Sequence, residues 1–174
     1  GTEPKVVIWG DSQANAWIPM AQTLGKSLDE PSTNLARDGC PPLLGAKLTL
    51  RSKQEAVGCE QWNAEAIAYL RKHGADTLVI VARWRSYIQP GLDNGAAVAI
   101  ARSVEQASPY VQRIVVIGPT PELAAHQDAV SRSDFEADAA AARAALHALE
   151  ANPKVRMADP SALMCEGGRC PRYH

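Results

Sequence analysis

The chain has 174 residues, of which 46% are hydrophobic and 21% are charged, and its formal net charge is −1. A charge this close to zero does not favour nucleic acid or an anionic membrane surface as a partner. No apolar run approaches the roughly 18 residues that a membrane-spanning helix needs, and no signal peptide is visible. The length suits one compact domain, covering residues 1–174, with a substantial core.

Five apolar segments recur along the chain with helical sequence between them. The predicted strands cover residues 6–9, 33–36, 77–81, 113–117 and 155–158. The third and fourth, TLVIV and RIVVI, are continuously apolar, which is typical of strands buried on both faces of a parallel sheet.

The predicted helices cover residues 14–28, 60–73, 96–107 and 134–150. Gly74 suits the position after the second helix, and Ser133 with Glu136 predicts a capping box at the start of the fourth. Alternation of strands and helices over this length predicts an α/β fold, a three-layer α/β/α sandwich around a five-stranded, mostly parallel sheet.

The four cysteines, Cys40, Cys59, Cys165 and Cys170, all lie in loop-like sequence rich in Pro and Gly. Four cysteines allow three disulfide pairings, and pairing of sequence neighbours is the most economical, giving Cys40–Cys59 and Cys165–Cys170. A zinc site and buried reduced thiols are the alternatives, but neither pair has the ligand spacing that is typical of zinc. We expect two disulfides, no metal and an oxidising compartment.

The segment Gly10-Asp11-Ser12 stands where the first strand ends and a helix begins. Ligands of open parallel sheets bind outside the carboxyl ends of the strands, so a serine here is placed to act as a nucleophile. Backbone amides at the start of the helix point toward the position of a developing oxyanion. The alternative is that Asp11 or Ser12 only caps the helix.

The motif VVIWGDSQA resembles the first block of the SGNH (GDSL-type) hydrolases, in which the serine attacks ester carbonyls. The ordered set GDSQA, GCPPL, CEQWN, VARW and DPSALMCEGGRC is similar to one branch of this family. That branch comprises SGNH domains fused to integral-membrane acyltransferases that O-acetylate bacterial surface polysaccharides. The resemblance covers most of the chain and implies a flavodoxin-like sheet order.

The resemblance assigns roles to several residues. It makes Ser12 the nucleophile and places the amides of Ser12 and Gly39 in the oxyanion hole. Gln13 stands where the branch usually carries His; it can still hydrogen-bond and is expected to bind substrate, but a titrating group is missing at that position. Arg83 and Trp84 follow the third strand, where the guanidinium is expected to stabilise an anion or bind an acidic sugar, and the indole to stack on a sugar ring. The alternatives are that Arg83 is a surface salt-bridge partner and that Trp84 packs in the core.

The catalytic His of the family lies in a final Asp-x-x-His block that is not recognisable here. His174 stands near where this block should begin and is the candidate base, with His126 as an alternative. His73 and His147 fall on predicted helices and are expected to be solvated surface residues or residues at the edge of the core. We expect the chain to be the excised soluble part of a larger membrane protein that stops short of this block or within it.

The resemblance implies serine-dependent transfer of an acyl group, in particular acetyl, to hydroxyls of a cell-envelope polysaccharide, without a cofactor. The expected partners are an acyl donor, a glycan acceptor and a linked membrane acyltransferase domain, in the periplasm or another extracytoplasmic site. A carbohydrate esterase is the enzymatic alternative. A catalytically inactive domain that binds a glycan or a partner protein is the alternative of another class.

Overall fold

The computed structural model describes residues 6–27, 31–48, 53–92, 95–123 and 126–171. Seven strands and six α-helices lie in these ranges. In chain order they are β1 (Val6–Gly10), α1 (Ser12–Ser27), β2 (Ser32–Ala36), α2 (Lys53–His73), β3 (Ala75–Val81), α3 (Trp84–Tyr87), α4 (Ala96–Ala107), β4 (Val111–Ile117), β5 (Ala129–Ser131), α5 (Arg132–Ala148), β6 (Val155–Ala158), α6 (Ser161–Met164) and β7 (Arg169–Pro171).

Five strands form the main sheet in the order β2-β1-β3-β4-β6, and every neighbouring pair is parallel. All five predicted strands are therefore confirmed. β1 is buried along its whole length because it lies between β2 and β3 and has helices over it. The order of the strands is the one that the flavodoxin-like expectation implied.

Helices cover both faces of this sheet, as predicted. The larger apolar cluster joins one face of the strands to α2, α4 and α5, with Trp9, Ile80 and Val116 among its sheet residues. The smaller cluster lies on the other face, where Ile8 and Val81 pack against α1. Alternate residues of a strand point to opposite faces, so each central strand contributes to both clusters.

The helix boundaries differ from the predictions mainly at their starts. α4 has the predicted bounds, whereas α2 begins at Lys53 and α1 begins at Ser12. Residue 28, the predicted end of the first helix, lies outside the described residues. Gly74 follows α2 with φ of +66° and donates from its amide to the Leu70 carbonyl, as its predicted position after the helix requires.

The predicted capping box at Ser133 is wrong. Ser131 is the N-cap of α5, since its hydroxyl accepts from the amide of Asp134 at 3.1 Å. The Glu136 carboxylate instead accepts from Arg132 at 2.7 Å, one turn earlier on the same helix. Both serines precede an acidic residue by three positions, so the motif alone does not distinguish them.

Both predicted disulfides are present, linking Cys40 to Cys59 and Cys165 to Cys170. The first attaches the loop after β2 to α2. The second closes the turn between α6 and β7, and β7 pairs antiparallel with β5. No helix among the described residues is long and apolar enough to cross a bilayer.

Candidate active site

The carboxyl ends of β1 and β3 meet at the point where the strand order reverses. From β1 the chain passes through α1 to β2 on one side, and β3 lies on the other side. Gly10, the last residue of β1, is paired in register with Val81, the last residue of β3. The segments that follow, Asp11-Ser12 and Ala82-Arg83, therefore start side by side at the place where ligands bind in such sheets.

Gly10 lets β1, β3 and α1 approach closely. A Cβ atom at this position would lie 1.9 Å from the Val81 carbonyl oxygen and 2.7 Å from the Ala14 Cβ. Both distances are too short for any side chain, so the strand end and the helix start fit together only with glycine here.

Asp11 is 1% exposed and joins the start of α1 to the end of β3. Its Oδ1 accepts from the amide of Gln13 at 2.9 Å, which makes it the cap of α1. Its Oδ2 accepts from the amide of Arg83 at 2.9 Å and from the hydroxyl of Tyr87 at 3.1 Å. Burial raises the pKa of Asp11 above its ordinary value, although these hydrogen bonds oppose the effect.

Ser12 is the first residue of α1 and is exposed. Because Asp11 caps the helix, the Ser12 hydroxyl is not used for this purpose. No hydrogen bond among the described residues involves that hydroxyl. It therefore projects from the start of a 16-residue helix, where the backbone amides favour negative charge.

The turn that carries Gly39 is attached to the end of β1. The amide of Arg37 donates to the Gly10 carbonyl at 3.0 Å, and the amide of Cys40 donates back to the Arg37 carbonyl at 3.0 Å. Gly39 has φ of +71°, which favours glycine, and the Cys40–Cys59 disulfide holds the turn on α2. The structure thus places the Gly39 turn beside the Ser12 segment, while the oxyanion role of its amide stays a prediction.

The prediction that Trp84 stacks on a sugar is wrong, because its side chain belongs to the core. Trp84 is 1% exposed, and its indole N–H donates to the Ile117 carbonyl at 2.7 Å. The ring lies on the face of the sheet that α2, α4 and α5 cover. A ring held there has no surface for a ligand.

The side chain of Arg83 lies at the site but is not a free cation. Its Nε donates to Glu122 Oε2 at 2.6 Å and its Nη2 lies 2.5 Å from the same oxygen. Glu122 raises the pKa of Arg83, mainly through this hydrogen bond. The expected binding of an acidic sugar by an unpaired guanidinium is therefore not supported.

The loop after β4 is the part of the site that sequence reasoning missed. Thr120 donates to the Gln13 side-chain oxygen at 3.4 Å, and Glu122 holds Arg83, so this loop contacts two of the three side chains predicted to bind substrate. Tyr87, which binds Asp11, was also not predicted. The available signal was the position of Thr120 and Glu122 just beyond the carboxyl end of a central strand.

The histidines lie in different parts of the molecule. His73 and His147 stand at helix ends that precede β3 and β6. They therefore lie toward the amino ends of the strands, whereas Ser12 lies at the carboxyl end of β1. His147 contacts Glu150 at 3.1 Å, and His73 stacks near Tyr69. His126 is exposed in the segment before β5, and His174 lies outside the described residues. The role predicted for His174 stays a prediction.

A groove of about 270 Å³ lies between α2 and the loop after β2. It is lined by Leu43, Gly45, Ala46, Lys47, Leu48, Val57, Cys59, Glu60 and Asn63. Neither Ser12 nor Arg83 lines this groove, so the candidate site at the carboxyl ends of β1 and β3 lies outside it. No group of three His, Cys, Asp or Glu side chains within the described ranges is arranged to hold a metal ion.

Comparison with known proteins identifies a family and similar solved structures. The model of the SGNH domain that is fused to AT3 domains matches residues 1–174. The fold is similar to the periplasmic domain of a lipopolysaccharide acetyltransferase from Salmonella ser. Paratyphi A, with a TM-score of 0.66. Identity is 16%, over 98% of this chain and 71% of that one, so this likeness shows the fold alone.

No curated protein sequence matches the chain significantly. The family match, however, extends over the whole of residues 1–174. The chain therefore belongs to the family of SGNH domains that are fused to AT3 domains.

Proposed function

We propose that this domain transfers an acetyl group to a hydroxyl of a bacterial cell-envelope polysaccharide through an acyl-Ser12 intermediate. The observation that carries the proposal is the exposed Ser12 hydroxyl at the start of α1, beside the Gly39 turn. Membership of a family fused to AT3 domains supports it, as does a similar fold described as a lipopolysaccharide acetyltransferase periplasmic domain.

The mechanism has two halves that share one covalent intermediate. Ser12 Oγ attacks the acyl carbonyl while its proton passes to a general base, and the amides of Ser12 and Gly39 donate to the oxyanion. The base gives this proton to the donor's leaving group as it departs. A glycan hydroxyl then attacks the acyl-serine and loses its proton to the base, which returns a proton to Ser12 Oγ as the acyl–serine bond breaks. The family resemblance places this base on the histidine of an Asp-x-x-His block.

The compartment follows from the cysteines and the family. Two disulfides in a chain of this size indicate an oxidising environment, because thiols stay reduced in the cytosol. The family is fused to AT3 domains, and we expect such a domain to link this one to the inner membrane. Both features suit a domain that modifies glycans of the cell envelope.

The test is replacement of Ser12 by Ala in the full-length protein. We expect the rate of acyl transfer to fall by about 10⁴- to 10⁶-fold, so that O-acetyl groups on the surface polysaccharide are no longer detected by NMR of the purified glycan. The melting temperature should hardly change, since an exposed hydroxyl contributes little to packing. Ser32→Ala is the matched control. Ser32 is also exposed, but it is the first residue of β2 and so lies at the amino ends of the strands, away from Ser12.

Three results would redirect the proposal. Acetylation that persists in the Ser12→Ala protein assigns the chemistry to another residue. If wild-type protein is not labelled at Ser12 by a serine-directed phosphonate, the domain is a binding module that retains the fold. Release of free acetate without a modified glycan identifies an esterase instead.

A further inference from the structure

Arg83 and Glu122 form an ion pair that leaves guanidinium N–H groups and one carboxylate oxygen open to a ligand. Both short contacts from the guanidinium end on Glu122 Oε2, from Nε at 2.6 Å and from Nη2 at 2.5 Å. Contacts from the described residues therefore occupy one carboxylate oxygen and leave Oε1 available. The Arg83 side chain is 54% exposed and the Glu122 side chain 20% exposed, so solvent and ligands reach the pair.

The segments that carry Arg83 and Glu122 contact the residues before and after Ser12 in the chain. The backbone amide of Arg83 donates to Asp11, the residue before Ser12. The loop that carries Glu122 also carries Thr120, which donates to Gln13, the residue after Ser12. The pair is therefore carried by the two segments that contact the residues on either side of Ser12.

The carboxyl groups around the pair outnumber the guanidinium groups. Arg85 is the other cation, and it is held by Asp138 at 2.5 Å while lying 3.9 Å from Glu122. Together with the buried Asp11, two guanidinium groups face three carboxyl groups, so no cation at this position lacks a counter-charge. An acidic sugar would have to compete with Glu122 for Arg83 and would meet its negative charge.

We propose that Arg83 and Glu122 together bind hydroxyls of a neutral sugar in the acceptor, and that Glu122 makes the site reject acidic sugars. The inference rests on the proposed function and names the acceptor class. A sugar hydroxyl both donates and accepts, so neighbouring hydroxyls match a free guanidinium N–H beside a free carboxylate oxygen. Hydrogen bonds to charged groups are the stronger ones, which suits an exposed site that has to compete with water.

The test measures binding rather than turnover, so that it does not depend on the acyl transfer. Full-length protein carrying Ser12→Ala is titrated with methyl glucoside and with methyl glucuronide, and binding is followed by saturation-transfer NMR. We expect the neutral glycoside to bind at least about tenfold more tightly than the uronide. Adding Glu122→Gln should weaken binding of the neutral glycoside and strengthen binding of the uronide. The preference for the neutral glycoside should then disappear or invert.

Glu65→Gln is the matched control, since it removes an equal charge from the exposed surface of α2, where Glu65 binds Gln61, and it should leave the preference unchanged. Arg83→Gln should weaken the binding of both glycosides. A wild-type preference for the uronide, or an unchanged ratio in the Glu122→Gln protein, overturns the inference. Labelling of Ser12 by the phosphonate in the parent protein tests the proposed function separately, so the two failures are distinguishable.

Discussion

Asp11 connects three parts of the molecule through one carboxyl group. It caps α1, accepts from the amide at the end of β3 and accepts from the Tyr87 hydroxyl. The last two partners lie 72 and 76 residues further along the chain. A residue that the sequence offers as a simple helix cap therefore also fixes the position of the neighbouring strand end, and with it the exposed Ser12.

Replacing Asp11 by Asn should destabilise the protein by about 2 kcal/mol. The amide oxygen can still cap α1, but the amide nitrogen then faces the Arg83 N–H, which is left without an acceptor. Urea denaturation measures the loss. Asp38→Asn is the control, since Asp38 is exposed and bound to Asn15, and it should change stability by less than about 0.5 kcal/mol.

The effect of Asp11 on stability should depend on pH. Burial raises its pKa in the folded state above the ordinary value of 3.8, so between these two values the folded protein binds more protons here than the unfolded chain. The stability that protonation adds is complete below that ordinary value and is lost as the pH rises through the folded pKa. The stability gap between wild type and Asp11→Asn should therefore widen as the pH falls through this window, in urea titrations at several pH values. A gap that narrows would mean that the folded pKa is lowered.

At the scale of elements, the site depends on the close packing of β1, β3 and α1. Gly10 makes this contact possible, because a Cβ there would overlap its neighbours. At Gly39, no described atom beyond the adjoining residues lies within 4 Å of where a Cβ would stand, so glycine is needed only for its backbone angle. The two glycines near Ser12 therefore serve different physical requirements.

Gly10→Ala should destabilise the protein by about 3 kcal/mol or more, because β1 and β3 have to separate to admit the methyl group. Gly39→Ala should cost only about 1 to 2 kcal/mol of backbone strain. Melting curves of the two variants check this order. Equal losses would show that the strand ends can separate at little cost.

The elements that the sequence revealed are those with a strong local pattern. The five strands of the main sheet are apolar runs, and four helices have either a stripe or a recognisable end. The short elements α3, β5, α6 and β7 were not predicted, since each has three or four residues and is held by tertiary partners. Likewise, Ser12 and Gly39 lie in local motifs, but Glu122 and Tyr87 reach the site only through the fold.

At the scale of the whole molecule, the two disulfides close loops of different length. Cys40 and Cys59 are separated by 19 residues, and Cys165 and Cys170 by 5. Closing the longer loop stabilises the fold more, because it removes more conformational entropy from the unfolded chain. The first disulfide also lies next to the Gly39 turn, whereas the second lies beside α5.

Replacing Cys40 and Cys59 together by Ala should cost about 3 kcal/mol, and replacing Cys165 and Cys170 about 2 kcal/mol. Urea denaturation of the two double variants measures both losses. The first variant should also lose more acetylation than the second, since its loop carries Gly39. The reverse order of stability would show that strain or packing, rather than loop closure, dominates.

The strand order has a consequence for how the chain acquires its fold. β1 comes first in the sequence but lies inside the sheet, so its second neighbour is complete only when residue 81 has been synthesised. The contact from Gln13 to Thr120 closes over a separation of 107 residues. Such distant contacts slow folding, and until they form, the apolar segment VVIW keeps an unpaired edge. The growing chain thus exposes an apolar strand early, and that strand depends on protection until β3 arrives.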